Sequence, residues 1–200
     1  MNPSAVILLI VANAAVFVLQ WAATPLVETY FALWPLQPVS GVVYFRFWQL
    51  FTYAFLHDTG NIAHLLFNLL ILWMVGTELE RDVGPRRLLG LYLASVLAAA
   101  MTQLIAATLL GAEPALGLGA SGGVFGLLLA FIVMFPTRKV RPLIPPVQMP
   151  AWVFVALCAG AESTVGIAGP LSGAEYFAPL GGMIGSFLVL MQWRRSRSRA

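Results

Sequence analysis

Long apolar runs separated by short polar stretches dominate this chain. A run of about 18 or more apolar residues is long enough to cross a bilayer as a helix. The pattern predicts six transmembrane helices, at about residues 4–22, 61–79, 87–110, 119–135, 150–168 and 175–193. The fifth is the least regular, because Gly160, Glu162 and Gly166 interrupt its second half. We therefore expect an all-α membrane protein that forms a single domain over residues 1–200, with no internal repeat.

The connection between the first two predicted helices is long and rich in aromatic residues. Aromatic side chains favour the membrane–water interface, because one end of the ring is apolar and the other can be wet. We therefore expect residues 23–60 to lie partly in the interface as short helices rather than to form a solvated linker. The aromatic residues include Tyr30, Phe31, Trp34, Tyr44, Phe45, Phe47, Trp48, Phe51 and Tyr53.

The composition excludes a soluble globular domain. Of the 200 residues, 60% are hydrophobic and only 10% are charged, whereas about a quarter of a soluble domain is normally charged. The single cysteine, Cys158, lies in an apolar run and can form no intrachain disulfide. We interpret it as a packing residue.

The distribution of charge predicts the orientation in the membrane. Although the net charge is +3, ten of the 11 basic residues follow the second, fourth and sixth predicted helices, and only Arg46 lies on the other side. This asymmetry is typical of cytoplasmic loops rather than of nucleic-acid binding. It predicts an integral protein of the bacterial inner membrane, with both termini in the cytoplasm and no nucleic-acid partner. The ten residues are Arg81, Arg86, Arg87, Arg138, Lys139, Arg141, Arg194, Arg195, Arg197 and Arg199.

A serine flanked by glycine and alanine opens the fourth predicted helix, in Gly119-Ala120-Ser121-Gly122-Gly123. One interpretation is helix packing, since small residues let membrane helices approach closely. The other is a nucleophile in a cramped turn at a helix N-terminus, where free backbone N–H groups can stabilise an oxyanion.

Two polar residues lie on one face of the second predicted helix. His64 and Asn68 are four positions apart, which places them on the same side of a helix. Polar side chains inside a bilayer are costly unless they face protein or water, so the pair indicates either an interior site or hydrogen bonds that hold the bundle together. The sequence indicates no metal or other cofactor.

These pieces together resemble the rhomboid family of intramembrane serine proteases, from Phe47 to about Gly185. Their order and spacing are specific, although each piece alone is weak. The motifs are Trp48-Gln49-Leu50-Phe51-Thr52-Tyr53-Ala54-Phe55-Leu56-His57, His64 with Asn68, Gly76, Glu80 and Gly84, Tyr92, Gly119-Ala120-Ser121-Gly122, Phe135-Pro136-Thr137-Arg138 and Pro145-Pro146.

The resemblance implies a six-helix bundle with a serine recessed below the outer membrane surface and reached by water through a cavity. Ser121 matches the nucleophile. His64, Asn68 and the backbone N–H of Ser121 match the group that stabilises the oxyanion. The sixth helix of the family supplies a general base in the pattern Ala-His-x-x-Gly, and this chain reads Ala178-Pro179-Leu180-Gly181-Gly182.

Proline therefore stands where the resemblance implies the catalytic histidine. Pro179 has no side-chain proton acceptor, and neither Glu175, one turn earlier, nor His57, in the first loop, is a convincing substitute. Proline suits the first turn of a helix, where its missing N–H would be unpaired in any case. We expect small residues to keep the helices packed despite this change; they are Gly119, Gly122, Gly181, Gly182 and Gly185.

Two functional hypotheses follow from this pattern. In the first, the chain is a rhomboid pseudoprotease that binds transmembrane helices of partner membrane proteins or serves as an accessory subunit of a membrane complex. In the second, it is an active intramembrane serine endopeptidase with Ser121 as nucleophile and an unrecognised base. A transporter or channel is disfavoured, because the sequence offers no relay of ionisable residues within the predicted helices.

Overall fold

The computed structural model describes residues 4–36, 45–109, 116–143, 146–165 and 177–197. In chain order the helices are α1 (Ala5–Ala22), α2 (Thr24–Phe31), α3 (Gln49–Thr52), α4 (Ile62–Ile71), α5 (Thr77–Val83), α6 (Pro85–Leu109), α7 (Ser121–Met134), α8 (Ala151–Val165) and α9 (Phe177–Arg197). A 3-10 turn, Tyr53–Phe55, follows α3, and a π-helical turn, Leu72–Gly76, joins α4 to α5. Lys139–Val140 and Met149–Pro150 form a small antiparallel hairpin, β1 and β2.

Apolar helices make up most of the described residues, which confirms the helical membrane class; the β1–β2 hairpin is the exception. Within the described part, three helices are long and apolar enough to cross a membrane: Ala5–Ala22, Ile62–Val83 and Pro85–Leu109. Two apolar helices are shorter, Ser121–Met134 and Ala151–Glu162. The 21-residue α9 ends in basic residues.

α7 lies in the interior of the bundle and packs against both α6 and α9. Ten of its 14 residues are buried, including every residue from Ser121 to Leu128. A helix of 14 residues is about 21 Å long, which is shorter than the hydrocarbon core of about 30 Å. A serine at the start of α7 is therefore positioned inside the protein rather than at the end of a full membrane span.

Glycines allow α9 to lie directly against its neighbours. A Cβ atom added to Gly182 would overlap the backbone of Gly122 on α7. Because no side chain separates the two backbones at this point, the helices approach closely and gain van der Waals contact. The same holds toward α6 for Gly181 beside Thr102 and for Gly185 beside Ala98.

Charged side chains connect three segments at one end of the bundle. The carboxylate of Glu80 accepts hydrogen bonds from the Ser4 hydroxyl and from the Ala5 backbone N–H, each at 2.6 Å. At the same end, Arg138 and Glu78 form an ion pair with N and O atoms 2.6 Å apart. The start of α1, the end of the α4–α5 helix and the segment after α7 therefore lie together.

The aromatic connection forms short helices, which pack on each other through polar contacts. The indole N–H of Trp48 donates to the Tyr30 carbonyl at 2.8 Å, and the Thr52 hydroxyl donates to the Phe31 carbonyl at 2.7 Å. These bonds join the end of α2 to α3. Tyr44 lies outside the described residues.

Candidate active site

The segment that leads into α7 fixes the position of Ser121. The five residues before Ser121 are not helical. Gly117 and Leu33 exchange two backbone hydrogen bonds of 3.0 Å, and the Gly119 N–H donates to the Tyr53 carbonyl at 3.1 Å. Non-helical backbone within a membrane protein is tolerated where protein buries it and satisfies its polar groups. These bonds meet that condition and hold the start of α7 in place.

Gly119 has the left-handed φ of 113°, which side chains rarely adopt. A Cβ atom at this position would also lie 3.0 Å from Cε1 of His64. The helix begins at Ser121, two residues after the approximate predicted start at about 119, because a residue with this φ does not belong to a right-handed helix. We expected Gly119 to let two helices pack closely. The group nearest to an added Cβ atom is instead the His64 imidazole, not the backbone of another helix.

Ser121, His64 and Pro179 face the same cavity, which has a volume of about 420 Å³. It lies where α4, α7, α8 and α9 meet. The wall contains both apolar side chains and polar groups, so it suits a ligand with both kinds of surface. The other lining residues include Tyr53, Asp58, Asn61, Gln103, Phe125, Glu162, Leu180 and Met183.

Asn68 does not line this cavity. Its side chain is buried, with 1% of its surface exposed, and its amide donates to the His64 backbone carbonyl at 3.0 Å. This is a bond within one helix, from residue i to residue i−4. Of the two side chains predicted to stabilise the oxyanion, the structure thus places His64 at the cavity and Asn68 behind its wall.

Glu162, on α8, is the cavity residue that the sequence analysis missed. Its Oε1 atom lies 3.2 Å from Nε2 of His64, and both side chains are mostly buried, with 14% and 13% exposed. The other carboxylate oxygen of Glu162 is buried without a hydrogen-bond partner in the described part of the chain. An acidic residue inside a membrane helix marks an interior site by default, and this signal was available in the sequence.

Pro179 is the third residue of α9, and its side chain offers no hydrogen-bond acceptor to the cavity. The Ser121 hydroxyl makes no hydrogen bond with any of the described residues. A general base needs to lie within about 3 Å of the proton that it removes. No described side chain meets that condition for Ser121 in this arrangement.

Of the two remaining candidate bases, His57 and Glu175, the structure describes only His57, and it does not face Ser121. His57 is fully buried beside His64, with the ring centroids 5.5 Å apart, and does not line the cavity. Burial, and secondly the charge of His64, lowers the pKa of His57 to about 3, so this imidazole is neutral at pH 7. Glu175 lies outside the described residues.

The site therefore contains a serine hydroxyl at a helix N-terminus and an acid–histidine pair, without an acceptor at position 179. The first backbone N–H groups of a helix are free to bind an oxyanion or a carbonyl oxygen. Among the described residues, no cluster of three or more His, Cys, Asp or Glu side chains could bind a metal ion.

Comparison with known proteins finds one family for this chain. A family model described as a rhomboid domain matches residues 44–195. Rhomboid protein 1, mitochondrial, from Saccharomyces cerevisiae is 36% identical over 149 residues, which is 72% of this chain and 41% of that protein. Rhomboid protease GluP from Bacillus subtilis is 43% identical over 95 residues, 47% of this chain and 17% of that protein. The matched region spans less than half the length of either relative.

Proposed function

The chain belongs to the rhomboid family, and on that premise we propose that it is a pseudoprotease. It binds transmembrane helices of partner membrane proteins and does not cleave them. It does so either as a client-binding protein or as a subunit of a membrane complex. It is an integral membrane protein. The proposal depends on the absence of a base beside Ser121 within the described part of the chain, and on a cavity that is otherwise intact.

Pro179 is the observation that supports this proposal most directly. It lines the same cavity as Ser121 and has no atom that can accept the hydroxyl proton. In a soluble serine protease, loss of the base costs roughly 10⁶ in rate. A residue without a proton acceptor in its side chain, at this position of the cavity wall, favours binding over catalysis.

The hydrogen bonds of the expected oxyanion donors also favour binding. Nε2 of His64 faces Glu162, and the Asn68 amide is bonded to a carbonyl of its own helix. Because these donors already have partners, they are poorly placed to stabilise a developing oxyanion, which requires free and preorganised donors.

The cavity provides a surface suited to a transmembrane segment of a partner. Phe125 and Met183 give it apolar walls, while Ser121 and Glu162 contribute polar side chains. A membrane helix that frays at its end exposes backbone N–H and C=O groups, and these need partners in the absence of water. We propose that the cavity supplies such partners without any bond being broken.

We propose that both termini are cytoplasmic and that the cavity opens to the opposite side. The basic residues at the ends of α5, α7 and α9 outnumber the single Arg46 near α3, as expected from the positive-inside rule. A bacterial inner membrane is the location that we propose.

A second candidate function is supported by the contact between His64 and Glu162 in the cavity. His64 and Glu162 face the same space as Ser121. If His64 turned toward Ser121 it could take the hydroxyl proton while Glu162 stabilised the resulting imidazolium, as the acid does in a serine–histidine–acid triad. The chain would then be an active serine endopeptidase that cleaves transmembrane substrates.

Labelling with a fluorophosphonate probe separates the two functions, because the probe reacts only with an activated serine. We expect no Ser121-dependent labelling of the native chain in membranes, with Ser121→Ala as the control. Labelling that disappears in both Ser121→Ala and His64→Ala would support the endopeptidase instead. Copurification from native membranes would then identify the partner helix.

A further inference from the structure

A second cavity, remote from Ser121, lies between the end of the α4–α5 helix and the segment that follows α7. Its volume is about 590 Å³. Trp73 and Phe131 form apolar parts of its wall, and Leu143 forms another. Arg81, Lys139 and Arg141 also line it. We call this cavity the basic groove.

The basic groove has an excess of positive charge. Its one acidic residue, Glu78, is already paired with Arg138 at 2.6 Å. Arg81 and Lys139 have no acidic partner within the described ranges, and Arg141 donates only to the carbonyl of Pro146, at 3.3 Å. Three cations therefore remain without a neutralising charge. This arrangement attracts an anion and repels a cationic group.

The groove combines these cations with an exposed apolar surface farther along the helix. Trp73 is 55% exposed and Leu143 is 62% exposed. Arg81 follows Trp73 by eight residues, which is about 12 Å along a helix. The α4–α5 helix changes from apolar to charged between these two positions. That change is expected where a membrane helix leaves the hydrocarbon and enters the headgroup region.

We propose that the basic groove binds an anionic phospholipid. The phosphate lies among Arg81, Lys139 and Arg141, and the acyl chains lie along Trp73 and Leu143. A zwitterionic phospholipid binds less well, because its ammonium or choline group would meet the same cations. Basic pockets between membrane helices bind anionic headgroups in this way. This site is separate from the cavity of Ser121, so the proposal does not depend on the proposed function.

The test is competition between two lipids with the same acyl chains. The protein is purified in detergent and mixed with equal amounts of phosphatidylglycerol and phosphatidylcholine, and native mass spectrometry counts the bound lipids. We expect phosphatidylglycerol to be retained at least tenfold more. Arg81→Gln/Lys139→Gln should remove most or all of that preference, because two cations near a lipid surface contribute up to about 30-fold.

A matched control removes the same charge from the same end of the molecule outside the groove. Arg86 and Arg194 suit this purpose, because neither lines the basic groove. Their chain neighbours Arg87 and Trp193 are in contact, with the guanidinium carbon 5.9 Å from the ring centroid, so the two control residues lie near each other. Arg86→Gln/Arg194→Gln should change the preference less than threefold.

Three results would overturn the proposal. One is an absence of preference in the native chain, and another is an equal loss in both double variants, which would indicate a general surface effect. The third is displacement of the lipid by glycerol phosphate at millimolar concentration, which would indicate a site for a soluble phosphate.

The position of the acyl chains has a test of its own. Trp73→Ala should weaken the binding of both lipids equally. If it changes the preference between headgroups, the acyl chains do not lie where we place them.

Discussion

At the level of single residues, Pro179 allows the most direct test of the proposed function. We expect the native chain not to cleave generic rhomboid substrates in detergent or liposomes. Pro179→His should restore measurable cleavage, because Ser121 and His64 already face the cavity that position 179 lines. Restoration should be partial, since a helix start that accommodates proline need not place an imidazole within about 3 Å of the hydroxyl.

The rescued activity requires its own control. It must vanish in Pro179→His/Ser121→Ala, which keeps the new imidazole and removes the nucleophile. Clear Ser121-dependent cleavage by the unmodified chain would contradict the pseudoprotease proposal and favour a base from the His64–Glu162 pair.

Glu162 allows a second test, in the same rescued background. Removing its carboxylate in Pro179→His/Glu162→Ala frees Nε2 of His64, which now lies 3.2 Å from Glu162. One oxyanion donor contributes about 10²–10³ in rate, so even an imperfectly placed His64 should raise cleavage about tenfold above Pro179→His alone. A fall in cleavage, with thermal stability unchanged, would instead mean that the carboxylate assists catalysis.

His57 makes the stability of the protein depend on pH. Its pKa is about 3 in the fold and about 6.5 in an unfolded chain, so the unfolded state binds the extra proton between these values. Stability is therefore fully present above about pH 6.5 and decreases as the pH falls toward 3, by at most about 1.4 kcal/mol per pH unit. Thermal unfolding in detergent between pH 7 and pH 5 should show a flatter profile for His57→Leu than for the native chain. Equal slopes would mean that His57 does not titrate as its burial predicts.

At the level of helices, close packing of α7 and α9 depends on the absence of a side chain at Gly182. An added methyl group would overlap the backbone of Gly122, and overpacking of this kind costs about 1–3 kcal/mol. We expect Gly182→Ala to lower the unfolding temperature in detergent.

The matched control for this prediction is Gly90→Ala on α6. Gly90 has nothing within 4 Å of an added Cβ atom, so alanine there should leave stability unchanged or raise it by up to about 1 kcal/mol through its helix propensity. If the two alanine variants unfold at the same temperature, the contact between α7 and α9 is looser than we describe.

For the whole molecule, the charge distribution predicts the orientation. A reporter fused after Ala200 should be active only in the cytoplasm, and so should one at the amino terminus. Ser4 and Arg138 both contact the end of the α4–α5 helix, through Glu80 and Glu78, so the two reporters should agree with one placed near Arg138. A reporter after Ala200 that reads as external would rule out this orientation.

The sequence by itself determined the helical membrane class and the family. Each membrane helix must satisfy its backbone hydrogen bonds internally, so its position is recorded in a local run of apolar residues. The motifs around Ser121 and His64 are likewise short segments. The replacement of the expected histidine by Pro179 is visible in the sequence for the same reason. Seeing it requires only the residue type at one position of a recognisable motif.

Only the tertiary structure decided which polar groups meet. Glu162 and His64 are 98 positions apart in the chain, and their contact depends on how α8 packs beside α4. Asn68 shares a helix face with His64 in the sequence pattern, yet its amide bonds to its own helix and stays behind the cavity wall. A hydrogen bond requires a separation of about 3 Å and a particular rotamer, and helical periodicity specifies neither between different helices. Packing therefore decided which donors and acceptors surround the serine.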